Sequence, residues 1–162
     1  MALNADRATK GNLGPAAAGG IIRDNRGKSL MGFTEYLGMC SSMKRETRAV
    51  PRCLKIAREM GVTRLWVHLD SKVLMGMLQG ETAWYPYHRF TLEQCKGLIT
   101  WRDWEVQVTH CFREANQVAN RVANMGVTSS IGIIIYQHPP LEVRDLMFAD
   151  CMGATWPRTS KR

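Results

Sequence analysis

The amino-acid sequence predicts a single α/β domain with a mixed five-stranded sheet and helices on its faces. Three observations support this fold class. Three short segments with β-strand character come first along the chain and are separated by turns. A long segment with helical periodicity follows, and apolar strands then alternate with further helical segments. The order β-β-β-α-β-α-α-β-α combines an antiparallel meander with parallel β-α-β crossovers.

The first three strands are predicted to form the antiparallel meander. Residues 3–6 form the end of the first strand, and residues 16–22 form the second, after a turn cluster at residues 11–15. Residues 24–27, Asp-Asn-Arg-Gly, are typical of a hairpin turn. Residues 29–37 then resume an alternating pattern as the third strand.

The later elements alternate between helix and strand. Apolar residues recur with a helical period over residues 42–61 and predict the first helix. Residues 65–69 form a short apolar strand, a pattern typical of burial on both faces, which ends at Asp70. The remaining elements are a helix over 71–78, a loop over 79–86, a helix over 87–99, a strand over 104–111 and a helix over 114–125 that is closed by Gly126.

The composition is that of an ordinary globular protein and excludes disordered, collagen-like and low-complexity chains. Hydrophobic residues make up 45% of the 162 residues, and charged residues make up 22%. No segment approaches the roughly 18 consecutive apolar residues of a membrane span, and no signal-peptide pattern begins the chain. We therefore expect an intracellular protein, in the nucleus or the cytoplasm, with one domain over 1–162, a core over about 2–128 and a less regular tail over 129–162.

The net charge of +8 suits a polyanionic partner. Basic side chains that neutralise phosphates release condensed counterions, which gives affinity without sequence specificity. Charge alone does not identify such a partner, because many basic proteins bind no nucleic acid.

Common catalytic and cofactor motifs are missing from the sequence. Residues 14–20 are rich in glycine and alanine but lack the Lys-Ser/Thr and Gly-x-Gly-x-x-Gly spacings of nucleotide-binding loops. Zinc-protease and hydrolase-elbow motifs do not occur either. The five cysteines are odd in number, widely spaced and without a Cys-x-x-Cys pair, so they predict reduced, mostly packed thiols instead of disulfides or zinc ligands. They are Cys40, Cys53, Cys95, Cys111 and Cys151.

Acidic residues at the ends of predicted elements carry the functional signal. Asp6 closes the first strand, Glu46 lies in the first turn of the long helix, and Asp70 closes the central strand. Each has a structural alternative: a turn residue for Asp6, a favourable helix N-terminus for Glu46 and a helix cap for Asp70. Carboxylates that converge at strand ends repel one another, and two hard divalent cations would compensate them. The set together favours a metal site.

The chain resembles the ribonuclease H-like domain of retrotransposon polyproteins and of plant proteins derived from them. The similarity runs from residue 3 to about residue 158. Its matching segments, in order, are Leu-Asn-Ala-Asp at 3–6, the segment 14–24, Cys-Ser-Ser at 40–42 followed by Glu46, Leu-Asp-Ser-Lys at 69–72, the segment 110–119 and the tail 145–158.

This resemblance implies a two-metal endonuclease that cuts the RNA strand of RNA:DNA hybrids. The metal-binding positions of the family correspond to Asp6, Glu46, Asp70 and Asn120, and its mobile catalytic histidine corresponds to His110. The cofactor is then Mg²⁺, with Mn²⁺ as a substitute. One ion activates the attacking water, and the other stabilises the leaving 3′ oxygen. The histidine would handle protons or assist product release, because histidine exchanges protons near neutral pH.

Three departures from the family pattern support a weakened enzyme. Asn120 replaces the fourth carboxylate, and Arg7 stands where glycine usually follows the first aspartate. Pro51 is predicted to lie inside the helix that carries Glu46, where a proline costs about 3 kcal/mol or kinks the helix. Two alternatives remain beside the enzyme: a catalytically degenerate nucleic-acid-binding domain, and a descendant that retains no ligand.

Overall fold

The computed structural model describes residues 1–11, 13–41, 48–81, 83, 86–129 and 132–153. Two 3₁₀ turns, Pro86–His88 and Arg113–Asn116, each precede a helix. The strands are β1 Ala2–Thr9, β2 Leu13–Arg23, β3 Ser29–Ser41, β4 Arg64–Leu69, β5 Glu105–His110 and β6 Ile133–Tyr136. The helices are α1 Ala49–Glu59, α2 Lys72–Gln79, α3 Arg89–Ile99, α4 Gln117–Val127 and α5 Leu141–Cys151.

One mixed sheet contains all six strands, in the order β5-β4-β1-β2-β3-β6. The pairs β1–β2 and β2–β3 are antiparallel, and the pairs β1–β4 and β4–β5 are parallel, which confirms the predicted meander and crossovers. The sheet has six strands where the sequence predicts five. The additional strand, β6, has the sequence Ile-Ile-Ile-Tyr and pairs antiparallel with β3. This run falls in the predicted less regular tail; a run of four residues is shorter than a usual strand and gives no local signal of its pairing with the distant β3.

The tail after residue 128 also contains α5, whose buried side chains Val143 and Met147 pack in one cluster with Val118 and Val122 of α4. Pro139 and Pro140 directly precede this helix. Proline restricts the chain before the helix without preventing the helix itself.

The first strand continues past Asp6, so the predicted strand end at this residue is wrong. The ladder between β1 and β2 runs from Ala2↔Arg23 to Thr9↔Ala16, and Asp6 pairs with Gly19 within it. Polar residues in the second half of β1 interrupt the apolar pattern, but the backbone ladder does not depend on them.

The central strand β4 is buried on one face, and the predicted burial on both faces is wrong. Its burial alternates along the strand, and Trp66 is 56% exposed. The apolar side chains of the covered face, Leu65, Val67 and Leu69, pack into the main core. On the open face, three cross-strand polar pairs join β4 to β5: Arg64–Glu105 at 2.9 Å, Trp66–Gln107 at 2.9 Å and His68–Thr109 at 2.8 Å.

Helix α1 begins at Ala49, and residues 42–47, which include Glu46, lie outside the described residues. Pro51 is buried in the first turn of α1. The N–H groups of a first helical turn have no acceptor inside the helix, so proline is tolerated there. Within the described helix Pro51 thus stands at a tolerated position, and the predicted disturbance of the turn that carries Glu46 falls on residues 42–47, outside the described residues.

Helix α4 lies very close to the sheet, and two glycines allow this approach. A Cβ atom on Gly19 would lie 2.6 Å from the Cα of Ala123, and one on Gly126 would lie 2.8 Å from the Cβ of Ala17. The sequence predicts Gly126 as the end of the helix, which is wrong, because α4 continues to Val127. Gly126 serves close packing instead.

The main core fills the other face of the sheet, under α1, α2 and α3. Leu54, Leu74 and Leu92, one from each helix, lie in this cluster with the apolar side chains of β4. Of the free cysteines, Cys53 and Cys95 are buried, Cys111 is partly buried and Cys151 is exposed. Among the described residues, no helix is long and apolar enough to cross a membrane.

Candidate active site

Asp6 and Asp70 line the same small pocket at the sheet. Asp6 projects from the middle of β1, and Asp70 directly follows β4, the parallel neighbour of β1. The pocket also includes Arg7, Ser71 and Leu74, and its volume of about 20 Å³ is enough for one water-sized species. The structure therefore brings together two of the predicted carboxylates.

Asp70 does not cap the following helix; the next residue, Ser71, does. Ser71 is the N-cap of α2, and its hydroxyl accepts a hydrogen bond from the N–H of Leu74 at 3.3 Å. The alternative role of Asp6 as a turn residue is excluded by its place within β1. The two carboxylates are thus not explained by local structure.

The Asp6 carboxylate is buried, with only 7% of the residue exposed. Burial, and then the negative charge of Asp70, raise its pKa from 3.8 to about 6. Hydrogen bonds from the backbone N–H of Arg7, at 2.7 Å, and from Asn120 oppose this shift, as does the charge of Arg113. Two nearby carboxylates of this kind form an oxygen-donor pair whose repulsion a hard divalent cation would relieve.

Asn120 reaches this pair from α4. Its side-chain Nδ2 donates to Asp6 Oδ2 at 2.9 Å, across 114 residues of sequence. Its Oδ1 accepts a hydrogen bond from Asn124 Nδ2 at 3.1 Å. Asn120 therefore presents its NH₂ group to Asp6, and its amide would have to turn over before the carbonyl oxygen faced a cation beside Asp6.

Asn116 fixes the beginning of α4 against β1. It is 1% exposed, and its Nδ2 donates to the backbone carbonyl of Ala5 at 2.9 Å. Its Oδ1 accepts from Asn4 Nδ2 at 3.2 Å. Because Ala5 precedes Asp6, these bonds set the position of α4 beside the site. The residue pattern missed Asn116 as a site residue, since an uncharged residue in a 3₁₀ turn gives no local signal.

His110 ends β5 at the same edge of the sheet as Asp70. In the parallel register of β4 and β5, His110 pairs with Leu69, the residue before Asp70. Its ring contacts the ring of Phe112 edge to face, with the centroids 5.4 Å apart. The structure thus places His110 near the end of the strand that positions Asp70, outside the pocket-lining set.

Cys111 is a further residue of this neighbourhood that the sequence analysis did not assign to the site. Its backbone N–H donates to the carbonyl of Leu69 at 2.9 Å. Burial, and then the charges of Asp70 and Asp6, raise its pKa to about 12, so the thiol is neutral. The signal that could have found it is its place directly after β5, beside Asp70 in the parallel register.

The third predicted carboxylate, Glu46, lies outside the described residues. Within the part of the chain that the structure describes, no group of three His, Cys, Asp or Glu side chains is arranged to hold a metal ion. The described donors are therefore the Asp6 and Asp70 pair.

A sheet in the order β5-β4-β1-β2-β3-β6, with a carboxylate pair where β1 meets β4, defines a ribonuclease H-like α/β protein. A sequence model of the reverse transcriptase-like family matches residues 4–126, and the chain belongs to this family. A protein of Arabidopsis thaliana that bears the name ribonuclease H protein is 35% identical over 157 residues, which are 96% of this chain and 25% of that protein. The chain thus spans about a quarter of the length of this relative.

Solved structures share the fold. Ribonuclease H1 of the halophilic archaeon Halobacterium salinarum has a TM-score of 0.72 at 24% identity, covering 78% of this chain and 96% of that one. LC11 ribonuclease H1, isolated from compost and solved with an RNA/DNA hybrid, has a TM-score of 0.71 at 23% identity, covering 78% of this chain and 95% of that one. The resemblance found in the sequence is confirmed.

Proposed function

We propose that this chain is a ribonuclease H-type endonuclease of weakened activity that cleaves the RNA strand of RNA:DNA hybrids with divalent metal ions. The observation that carries the proposal is the pairing of Asp6 and Asp70 at one pocket, where the charge of Asp70 helps to raise the pKa of Asp6 to about 6. A buried carboxylate whose pKa a like-charged neighbour raises is common at functional sites. The names of the relatives, and the hybrid bound to LC11 ribonuclease H1, support the substrate class.

The donor chemistry fits Mg²⁺, with Mn²⁺ as a substitute. Both ions prefer hard oxygen ligands, and carboxylates bind them with charge compensation. Asp6 and Asp70 would hold the cation, Glu46 would complete the set as the sequence predicts, and Asn120 would be a weak, uncharged fourth ligand. When bound, two such cations supply a water nucleophile at neutral pH and charge stabilisation at the leaving oxygen.

The other residues position the ligands and handle protons. The Arg7 N–H and the Asn120 amide hold the two oxygens of Asp6 at 2.7 Å and 2.9 Å, which fixes the direction of this carboxylate. His110, at the end of β5, would accept or return a proton during hydrolysis. The net charge of +8 would hold the phosphate backbone of the substrate without sequence specificity.

A second candidate is a catalytically degenerate domain that binds nucleic acid without cleaving it. The contact between the Asn120 NH₂ group and Asp6 favours this candidate. An amide donor already satisfies the oxygen that a cation would use, and the site holds one negative charge fewer than the family pattern.

The test is cleavage of a fluorescent RNA:DNA hybrid with magnesium, manganese or a chelator. We expect metal-dependent cleavage that is abolished in Asp70→Asn, because this side chain should contact the metal directly. The matched control is Glu105→Gln, which removes an exposed carboxylate at the opposite end of β5 from His110. Hybrid binding without cleavage in the parent protein would select the degenerate binding domain, and the absence of both would overturn both candidates.

A further inference from the structure

Phe112 lies beside His110, the candidate proton carrier, with much of its surface open to solvent. The two rings meet edge to face, with their centroids 5.4 Å apart and their planes at 85°. Phe112 is 50% exposed, although phenylalanine stabilises a fold mainly through the burial of its ring. Core packing therefore does not by itself explain this aromatic side chain next to the candidate site.

The backbone after β5 explains why the two rings meet. The Cys111 N–H donates to the Leu69 carbonyl at 2.9 Å, which continues the pairing of β5 with β4 one residue past His110. Phe112 is also extended, with φ −72° and ψ 147°. Side chains two residues apart on an extended chain point to the same side, so the Phe112 ring lies next to the imidazole.

The ring of Phe112 stands on a backbone that is fixed relative to the candidate site. The Phe112 carbonyl accepts a hydrogen bond from the Ala115 N–H at 2.9 Å, within the 3₁₀ turn Arg113–Asn116. Asn116, the last residue of this turn, is 1% exposed and donates to the carbonyl of Ala5, the residue before Asp6. Phe112 is therefore held against β1 through the turn and against β4 through Cys111.

We propose that Phe112 is a positioning residue for His110, whose imidazole it holds in one side-chain conformation. A histidine side chain at a strand end can otherwise exchange among its staggered χ1 rotamers. An edge-to-face contact between two aromatic rings favours the rotamer that makes it by roughly two- to tenfold. The inference rests on the proposed function only for the role of His110 in proton transfer.

An ordered imidazole matters because proton transfer requires hydrogen-bond reach. A group that accepts or returns a proton acts only from a narrow range of positions, so the population of the productive rotamer scales the rate of the chemical step. Binding of the hybrid does not depend on that rotamer. Loss of the Phe112 ring should therefore lower kcat and leave KM unchanged, whereas loss of a direct contact with the substrate would raise KM.

Nuclear magnetic resonance of the full chain without added metal tests the geometry and needs no cleavage. Coupling constants across the Cα–Cβ bond of His110 measure its χ1 populations. We expect one dominant rotamer in the parent protein and in Phe112→Tyr, which keeps the ring, and averaged couplings in Phe112→Ala. Circular dichroism verifies that the variants are folded. A Phe112→Ala variant with the rotamer populations of the parent would overturn the proposal.

Cleavage kinetics on an RNA:DNA hybrid test the consequence for the reaction. Phe112→Ala should lower kcat by roughly two- to tenfold at an unchanged KM, and Phe112→Tyr should retain the kcat of the parent. The matched control is Phe90→Ala, because Phe90 is 72% exposed on α3, which contributes no residue to the described lining of the pocket of Asp6 and Asp70. This control should retain both constants.

The two measurements separate failure of this inference from failure of the proposed function. A raised KM at unchanged kcat in Phe112→Ala would assign the ring to the substrate and overturn the positioning role. A parent protein that does not cleave the hybrid would refute the proposed nuclease activity, and the rotamer populations of His110 would still decide whether Phe112 holds its ring.

Discussion

Replacing Gly19 by alanine tests whether the stability of the fold and the geometry of the candidate site depend on the close approach of α4 to the sheet. The new Cβ would lie 2.6 Å from the Cα of Ala123 and 2.9 Å from the carbonyl carbon of Val122. Ordinary contacts between carbon atoms are about 3.5–4.0 Å long, so α4 and β2 must separate by about 1 Å. The opposing atoms belong to the helix backbone and cannot rotate away.

The expected destabilisation is about 3 kcal/mol, at the upper end of the range for overpacked cores. For a chain of this size it lowers the melting temperature by about 6–12 °C. The substitution should also disturb the site, because Gly19 pairs with Asp6 across the sheet and Asn120 precedes Ala123 on α4 by one turn. A shift of about 1 Å would take the 2.9 Å bond between Asn120 Nδ2 and Asp6 Oδ2 beyond hydrogen-bond length.

Thermal unfolding by calorimetry measures the stability, and the NMR signals of the Asn120 side-chain amide report the bond to Asp6. The matched control is Gly97→Ala on α3, where a new Cβ meets nothing within 4 Å. Alanine in an exposed helix should stabilise the protein by about 0.5–1 kcal/mol, so the same substitution has opposite signs at the two positions. A Gly19→Ala variant that melts within about 1 °C of the parent would refute the close-packing argument.

The remaining predictions concern the carboxylates and the charge. Because burial and Asp70 raise the pKa of Asp6 from 3.8 to about 6, the folded state binds this proton more tightly than the unfolded chain. The contribution of Asp6 to stability is therefore present below about pH 4 and lost as the pH rises through 6, by about 3 kcal/mol. The Asp6→Asn variant should show a flatter dependence of the free energy of unfolding on pH, measured by urea unfolding with a chelator present. An unchanged pH dependence would contradict the raised pKa of Asp6. Asn120→Asp should raise hybrid cleavage, most at low magnesium, because cation affinity follows the number of anionic oxygens. If neither the parent protein nor the Asn120→Asp variant cleaves the hybrid, with or without the further substitution Arg7→Gly, the proposed nuclease activity is refuted. Hybrid binding should fall steeply with salt and depend little on sequence, and an affinity that salt leaves unchanged would exclude phosphate contacts as its basis.

The sequence by itself predicted the order of the first nine elements and the mixed sheet. The hairpin signal at residues 24–27, the helical period of α1 and the apolar strand before Asp70 are local patterns, and each spans only a few residues. Local patterns encode backbone conformation, so they suffice for the meander and the crossovers. They also indicated Asp6, Glu46 and Asp70 as one acidic set, although the premise that Asp6 ends its strand is wrong.

Tertiary structure alone decided how those residues meet. The bond between Asn120 and Asp6 spans 114 residues, and that between Asn116 and Ala5 spans 111, so no local pattern contains either. Gly126 is a helix-ending signal in the sequence, yet it lies inside α4, where Thr34 and Ala17 approach from the sheet too closely for a Cβ atom. The sequence of β4 likewise does not specify that one of its faces is left open. Coverage of a strand depends on where distant helices pack. Contacts of this kind follow from the packing of whole elements, which the period of any one segment does not specify.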